Sequence, residues 1–198
     1  MDQTDSVTRQ KILRAALERF AHGGYAGTSV QDIVGAARVT KPVLYYYFTN
    51  KAALFQALVD SAHDERHRLM QEAAQRGRTL EEKLVEIIAS LFEFFNGHRE
   101  LMRLALATAF AAPGEVPAEI RYVEKCERNF EFIHSLIKKE RGAAGLDRRF
   151  GSKELAFGVY GLMNVYIMSH LVLPEGRLNR PTAERIVKLF LSGAAAKK

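Results

Sequence analysis

The sequence is poor in the residues that interrupt or cross-link a chain: 198 residues contain one cysteine, five prolines and no tryptophan. A single thiol, Cys126, excludes an internal disulfide framework and a cysteine-rich zinc site, and it is typical of a reducing compartment. With so few prolines, almost any segment is able to form a helix. The first ten residues lack an apolar run after a basic cluster, so we expect no secretory signal and a cytoplasmic protein.

The composition is that of a globular protein with an excess of positive charge. Hydrophobic residues make up 47% and charged residues 26%, which is sufficient for a buried core. The net charge is +6, a mild form of the basic balance seen in nucleic-acid binders. Residues 1–51 carry 7 Lys or Arg against 4 Asp or Glu, so about a quarter of the chain holds half of the excess. This distribution indicates a small basic head on a nearly balanced body.

Apolar residues recur three and four positions apart along most of the chain, which predicts an all-α fold of nine helices. Ser29 with Asp32, and Thr79 with Glu82, have capping-box spacing and predict two helix starts.

The most informative segment is residues 28–51, TSVQDIVGAARVTKPVLYYYFTNK. Two short helices separated by a three-residue turn are the layout of a helix-turn-helix, whose second helix lies in the major groove of DNA. A small residue, Ala36 or Ala37, permits the two helices to approach closely. We expect the space between the helices to be filled by Ile33, Val39 and Leu44.

Residues 8–56 resemble the TetR family of transcriptional regulators. The resemblance is carried, in order, by Phe20 to Tyr25, Thr28 to Ile33, Val39 to Lys41, Leu44 to Phe48, and Lys51 with Leu54 and Phe55. It implies that base edges are read by Lys41, Pro42 and Tyr45. It also implies that phosphates are held by Thr28, Thr40, Tyr46, Tyr47 and Lys51.

Three positions depart from the family pattern. Arg38 stands where the family often has glycine in the turn, so its backbone is strained or its side chain adds a DNA contact. Pro42 replaces a common glycine and removes an N–H group. Tyr47 replaces a frequent histidine, a change that we expect to be tolerated.

The resemblance further implies dimerisation through the last two helices, which spaces two recognition helices about 34–36 Å apart. The segment from Leu155 to Pro174 has no charged residue, and we interpret it as a buried helix rather than a membrane span. The predicted dimer contacts are Gly158, Gly161, Val165, Met168, Val172, Ile186, Leu189 and Phe190.

The resemblance implies a helix-turn-helix DNA-binding domain over residues 1–50 and an effector-binding and dimerisation domain over residues 51–198. The family's second domain usually encloses a small-molecule cavity, and the default effector is apolar or aromatic. The residues predicted to line it are Phe92, Phe95, Arg103, Phe110, Tyr122, Cys126, Phe130, Tyr160, Met163 and Asn164. Most aromatic residues in such a set also serve as core.

The other motifs do not predict metal binding or catalysis. His63 and His67 have the i, i+4 spacing of a zinc site, but Asp64 replaces the expected glutamate and we interpret this stretch as a solvated face. Glu131 and His134 have the spacing of a di-iron motif without a second copy. Cys126 is expected to be a buried thiol with Tyr122 and Phe130 one helical turn away on either side.

The sequence therefore predicts a homodimeric, ligand-responsive repressor that binds operator DNA, needs no cofactor or metal, does not enter a membrane and is not an enzyme. Two alternatives stay open. One is an effector-independent regulator or an activator of the same fold. The other is a helical small-molecule-binding or metal-bundle enzyme in which the N-terminal helices serve only for packing.

Overall fold

A computed structural model describes residues 3–173 and 177–194, and over these residues the chain forms nine α-helices and no strand. The predicted all-α fold is confirmed. The helices are α1 (Gln3–Gly23), α2 (Val30–Ala37), α3 (Lys41–Tyr47), α4 (Lys51–Ala74), α5 (Leu80–Gly97), α6 (Arg99–Ala109), α7 (Val123–Glu140), α8 (Ser152–Val172) and α9 (Arg180–Ala194).

Both predicted capping boxes form. The Ser29 hydroxyl accepts the Asp32 N–H at 3.1 Å, and the Asp32 carboxylate accepts the Ser29 N–H at 3.0 Å. Thr79 and Glu82 make the same reciprocal pair at the start of α5. These bonds satisfy N–H groups that the first turn of a helix leaves without partners.

The predicted helical position of Tyr122 beside Cys126 is wrong, because α7 begins only at Val123. Ile120 is 7% exposed and packs in a hydrophobic core with residues of the N-terminal helices. Tyr122 also precedes α7 and packs against that core, so it does not lie one helical turn before Cys126.

The chain divides into two compact units, and the division falls within α4. The first unit comprises Met1–His63 and Glu100–Glu124. Its core includes Ile33, Leu44 and Leu54, each 0% exposed, together with Leu104 of α6. This division differs from the predicted boundary at residue 50, because the core of the N-terminal helices also contains apolar residues from α4, α6 and the following loop.

The second unit comprises Asp64–Arg99 and Lys125–Lys198. In α5, Ile87, Ile88, Leu91 and Phe92 are at most 1% exposed, and α5 packs against α9 and α8. The Asn96 side chain donates a hydrogen bond to the Leu178 carbonyl at 2.6 Å, which fixes the segment before α9 to α5.

Helix α8 is long and apolar enough to cross a bilayer by length and composition alone, a test that core helices of soluble proteins also pass. The last residue of the uncharged segment, Pro174, lies outside the described residues.

Candidate nucleic-acid interface

Helix α3 is fixed to the first unit by one buried face. Leu44 is 0% exposed and Phe48, at its C-terminal end, is 5% exposed. Ile33 of α2 is buried in the same core, and Val39 is partly buried against it. Ala37 is buried whereas Ala36 is exposed, so Ala37 is the small residue at the contact between the helices. The expected packing of the two helices is confirmed.

The turn between α2 and α3 depends on the backbone of Arg38. Arg38 has φ 54° and ψ 46°, the left-handed conformation that usually favours glycine. Its N–H donates to the Gly35 carbonyl at 3.3 Å, and the next N–H donates to the Val34 carbonyl at 3.0 Å. These bonds close the end of α2. A side chain in this conformation costs about 1–2 kcal/mol, so the backbone strain expected at Arg38 is present. The DNA contact of its side chain stays a prediction.

The opposite face of α3 is exposed and carries polar groups. Lys41 and Pro42 are exposed in its first turn, and Tyr45 and Tyr46 are 48% and 74% exposed. Thr40 occupies the N-cap position, but its side chain makes no capping hydrogen bond. An ammonium group and hydroxyl groups are thus presented together on one side of a short helix.

Three residues predicted to hold phosphates have hydrogen-bond partners within the chain. Thr28 is 3% exposed, and its hydroxyl lies 2.8 Å from the Gly24 carbonyl and 3.1 Å from that of Arg19. The Tyr47 hydroxyl donates to the Asp5 carboxylate at 2.8 Å, and this hydrogen bond raises the pKa of Tyr47. In this structure both hydroxyls support the fold of the first unit.

Lys51 is the third. Its Nζ donates to the carbonyls of Tyr25 and Thr28, each at 2.9 Å, and lies 4.1 Å from the centre of the Tyr25 ring. The ammonium therefore ties the first turn of α4 to the glycine-rich turn after α1. The resemblance predicted a phosphate-binding role for this lysine. The hydrogen bonds that its ammonium makes to backbone carbonyls are seen only in the tertiary structure.

The predicted ligand-lining residues fall in both units. Arg103, Phe110 and Tyr122 belong to the first unit, and Phe110 is 72% exposed, so Phe110 does not line a closed cavity. The other members belong to the second unit. Phe92, Phe95 and Met163 are buried there as core. A half-buried group remains, consisting of Cys126, Phe130, Tyr160 and Asn164.

Sequence reasoning missed Arg66, the residue that joins part of this half-buried group. Its guanidinium donates to the Asn164 side chain at 2.8 Å and lies over the Tyr160 ring at 5.0 Å. Burial raises the pKa of the Cys126 thiol, and the positive charge of Arg66 opposes that rise. The signal available in the sequence was the position of Arg66, four residues after Ala62 and three before Leu69, on the apolar stripe of α4.

The predicted dimer residues separate by exposure. Val165, Met168, Val172 and Leu189 are 37–78% exposed, although all are apolar. Ile186 and Phe190 are buried at 1% and 8% within the chain. A Cβ atom at Gly158 would lie 3.6 Å from the Phe190 ring, so this glycine accommodates packing between α8 and α9. Since their side chains face inward, Ile186 and Phe190 pack within the chain and offer little surface to a partner.

The histidines on α4 are less exposed than expected. His63 is 7% exposed, and His67 lies against the Phe132 ring, so the interpretation as a solvated face is wrong. Burial lowers the pKa of His67, and the positive charge of Arg128 acts in the same direction. The His134 ring nitrogens lie 2.9 Å from Glu131 and 3.1 Å from Ser152. Over the described ranges there is no metal-competent group of three or more His, Cys, Asp or Glu residues.

Comparison with known proteins identifies the segment that carries this interface. A sequence model described as "Bacterial regulatory proteins, tetR family" matches residues 12–58, which include α2, α3 and the first turns of α4. This segment of the chain is therefore similar to regulatory proteins of the tetR family. The chain is 46% identical over 57 residues to the HTH-type transcriptional regulator TtgR of Pseudomonas putida, covering 29% of this chain and 27% of TtgR.

A longer alignment with the HTH-type transcriptional activator FasR of Mycolicibacterium smegmatis shows 25% identity, covering 68% of this chain and 60% of FasR. The chain thus spans less than two thirds of each of these relatives. A TetR family transcription regulator from Marinobacter aquaeolei has the same fold over 100% of both chains, with a TM-score of 0.78 at 21% identity. The similarity in fold therefore extends beyond the matched N-terminal segment.

Proposed function

We propose that this chain is a cytoplasmic, sequence-specific DNA-binding transcription regulator of the tetR family in which α3 enters the major groove. The observation that carries the proposal is the division of α3 into a buried apolar face and an exposed polar face. A recognition helix needs both, because the buried face fixes its orientation and the exposed face contacts the duplex.

Within this proposal, Lys41 and Tyr45 reach base edges, and Thr40 and Tyr46 contact phosphates. The support is their exposure and their donor groups. Phosphate contacts fix the register of the protein on DNA, and base-edge contacts supply sequence discrimination. Arg38 adds a positive charge beside the recognition helix, at the turn that precedes it.

The proposed regulator is a homodimer that uses the exposed apolar residues of α8 and α9. Val165, Met168, Val172 and Leu189 supply an apolar surface that water solvates poorly. Two-fold pairing places two recognition helices one DNA turn apart. We expect Val165→Glu to dissociate the dimer in sedimentation analysis, because it buries an unpaired charge at the interface.

The proposed effector is a small ligand of the second unit that releases the DNA. Such a ligand acts only through its differential affinity for the DNA-bound and released states. Helix α4 contributes residues to both units, which supplies a continuous element for this coupling. In this proposal the DNA-bound dimer blocks transcription, so the protein is a repressor. An activator of the same fold is the second candidate, favoured by the name of FasR. An effector-independent regulator stays an open alternative.

The test is a binding assay with the DNA upstream of the gene, performed at several salt concentrations. We expect Lys41→Ala and Tyr45→Ala to weaken binding to this DNA by about tenfold or more, as loss of about 1–3 kcal/mol of base discrimination predicts. Lys188→Ala is the matched control, since Lys188 is an exposed lysine on α9 in the second unit.

Wild-type affinity should fall steeply with salt as counterions are released from phosphates. Failure to prefer the upstream fragment over random DNA, with equal binding by the Lys41 and Lys188 variants, would reject α3 as the recognition helix.

A further inference from the structure

Arg66 carries a charge for which the residues of ranges 3–173 and 177–194 provide no counterion. Its Nε atom is buried and has no hydrogen-bond partner among the described residues. The described contacts of its guanidinium are one bond to Asn164 Oδ1, at 2.8 Å, and the Tyr160 ring. Both partners are uncharged, and the described residues provide no ion pair for this guanidinium.

The carboxylates beside Arg66 on α4 are already engaged with other cations. Asp64 accepts Lys125 at 2.9 Å and Arg128 at 2.6 Å. Glu65 accepts Arg68 Nε at 2.8 Å. Since a buried N–H group without a partner is costly, and a guanidinium recognises planar anions through two parallel hydrogen bonds, Arg66 is suited to an anion supplied from outside.

An apolar surface lies beside this charge. The Phe130 ring stacks on Phe157 with centroids 4.4 Å apart and meets the Tyr160 ring edge at 5.6 Å. Tyr160 is the ring over which Arg66 lies, so charge and aromatic surface are continuous. Phe157 is 58% exposed, which leaves this aromatic group open to solvent.

We propose that Arg66 and Asn164, with the aromatic group of Phe130, Phe157 and Tyr160, bind an organic carboxylate with an apolar aryl or acyl body. The carboxylate accepts from Arg66 Nε and from its neighbouring Nη group, and the apolar body covers the aromatic rings. The assignment rests on the proposed function in one respect, namely that this ligand is the effector. It narrows the effector from apolar or aromatic to apolar with one negative charge.

The test uses phenylbutyrate as the anionic probe and phenylbutanol as its neutral counterpart, titrated into the purified full chain by calorimetry. We expect wild type to bind phenylbutyrate about tenfold or more tightly than phenylbutanol, as charge-assisted hydrogen bonds predict. Arg66→Met should remove this preference while retaining an apolar stem. Arg68→Met is the matched control, because Arg68 is exposed and paired with Glu65 and Glu72.

Asn164→Asp provides a second test that does not depend on removing Arg66. The new carboxylate would stand where the amide oxygen now lies, 2.8 Å from Arg66, and would act as an internal counterion. We expect a higher melting temperature and loss of the phenylbutyrate preference. Gln71→Glu adds the same charge at an exposed position on α4 and should change neither.

Equal binding of the two probes by wild type, absence of phenylbutyrate binding, or unchanged preference in Asn164→Asp would each overturn the assignment. Binding of the ligand-free chain to its upstream DNA is measured in parallel. Intact DNA binding without an anion preference rejects this site alone, whereas anion binding without DNA binding rejects the proposed function and leaves the site.

Discussion

On α3 of the first unit, Leu44 and Phe48 are buried while Tyr46 is 74% exposed; on α8 of the second unit, the apolar residues Val165 and Val172 are 58% and 78% exposed. A polar exposed face suits a polyanion, because its donors replace water around phosphates and bases. An apolar exposed face suits another protein surface, because burying it removes it from water. The two units therefore expose different chemistry for different partners.

The largest expected effect comes from removing a side chain on the buried face of α3. We expect Leu44→Ala to lower the free energy of unfolding by about 2–5 kcal/mol, as deletion of a fully buried leucine side chain does. Tyr46→Ala, on the exposed side of the same helix, should change it by about 0.5 kcal/mol or less. Urea denaturation of both variants measures the difference, and similar losses would contradict the two-faced arrangement.

Lys51 tests whether a lysine of the first unit stabilises the fold or contacts DNA. Lys51→Met removes two hydrogen bonds from a charged donor and should cost about 1.5–3 kcal/mol of stability. The dependence of DNA affinity on salt should keep its slope, since no phosphate contact is lost.

Lys41→Met supplies the contrast. There we expect nearly unchanged stability and an affinity for the upstream DNA lower by about tenfold or more, because Lys41 is proposed to reach base edges. Urea denaturation and salt titrations of DNA binding test both lysines. A reduced slope in Lys51→Met would show that its ammonium leaves the carbonyls of Tyr25 and Thr28 to bind a phosphate.

Arg38 tests how much strain the turn holds. Arg38→Gly should be more stable than Arg38→Ala by about 1 kcal/mol, because only glycine adopts the left-handed conformation without a Cβ penalty. Denaturation midpoints of the two variants, compared with Arg38→Lys, measure this effect. Equal stability of the glycine and alanine variants would show that the turn relaxes to another conformation.

The smallest expected effect is in the second unit and concerns pH. Burial lowers the pKa of His67 below its ordinary value of 6.5. The unfolded chain therefore takes up a proton more readily than the folded chain as pH falls below about 6.5, and stability decreases through this range by at most about 1.4 kcal/mol per pH unit.

His67→Gln removes this titration. Denaturation at several pH values should show a flatter acid dependence for the variant than for wild type. Identical profiles would place His67 in a solvated environment, as the sequence pattern first indicated.

The sequence determines most of the first unit, because its signals are local. Capping at Ser29, the end of α1 just before Gly24 and the alternation of buried Leu44 with exposed Tyr45 all arise within one or two helical turns. The order of residues from 8 to 56 then carries the family resemblance. Local hydrogen bonds and helical spacing leave little for distant residues to change in these features.

Other assignments depend on residues far apart in the chain, and these only the tertiary structure decided. The carbonyls that accept Lys51 lie more than 20 positions earlier, and Asn164 lies 98 positions from Arg66. The spacing of residues within a helix contains no information on which distant side chain will occupy a charge. The sequence by itself determined the helices and the motif, while packing decided which polar groups support the fold and which remain available to a ligand or to DNA.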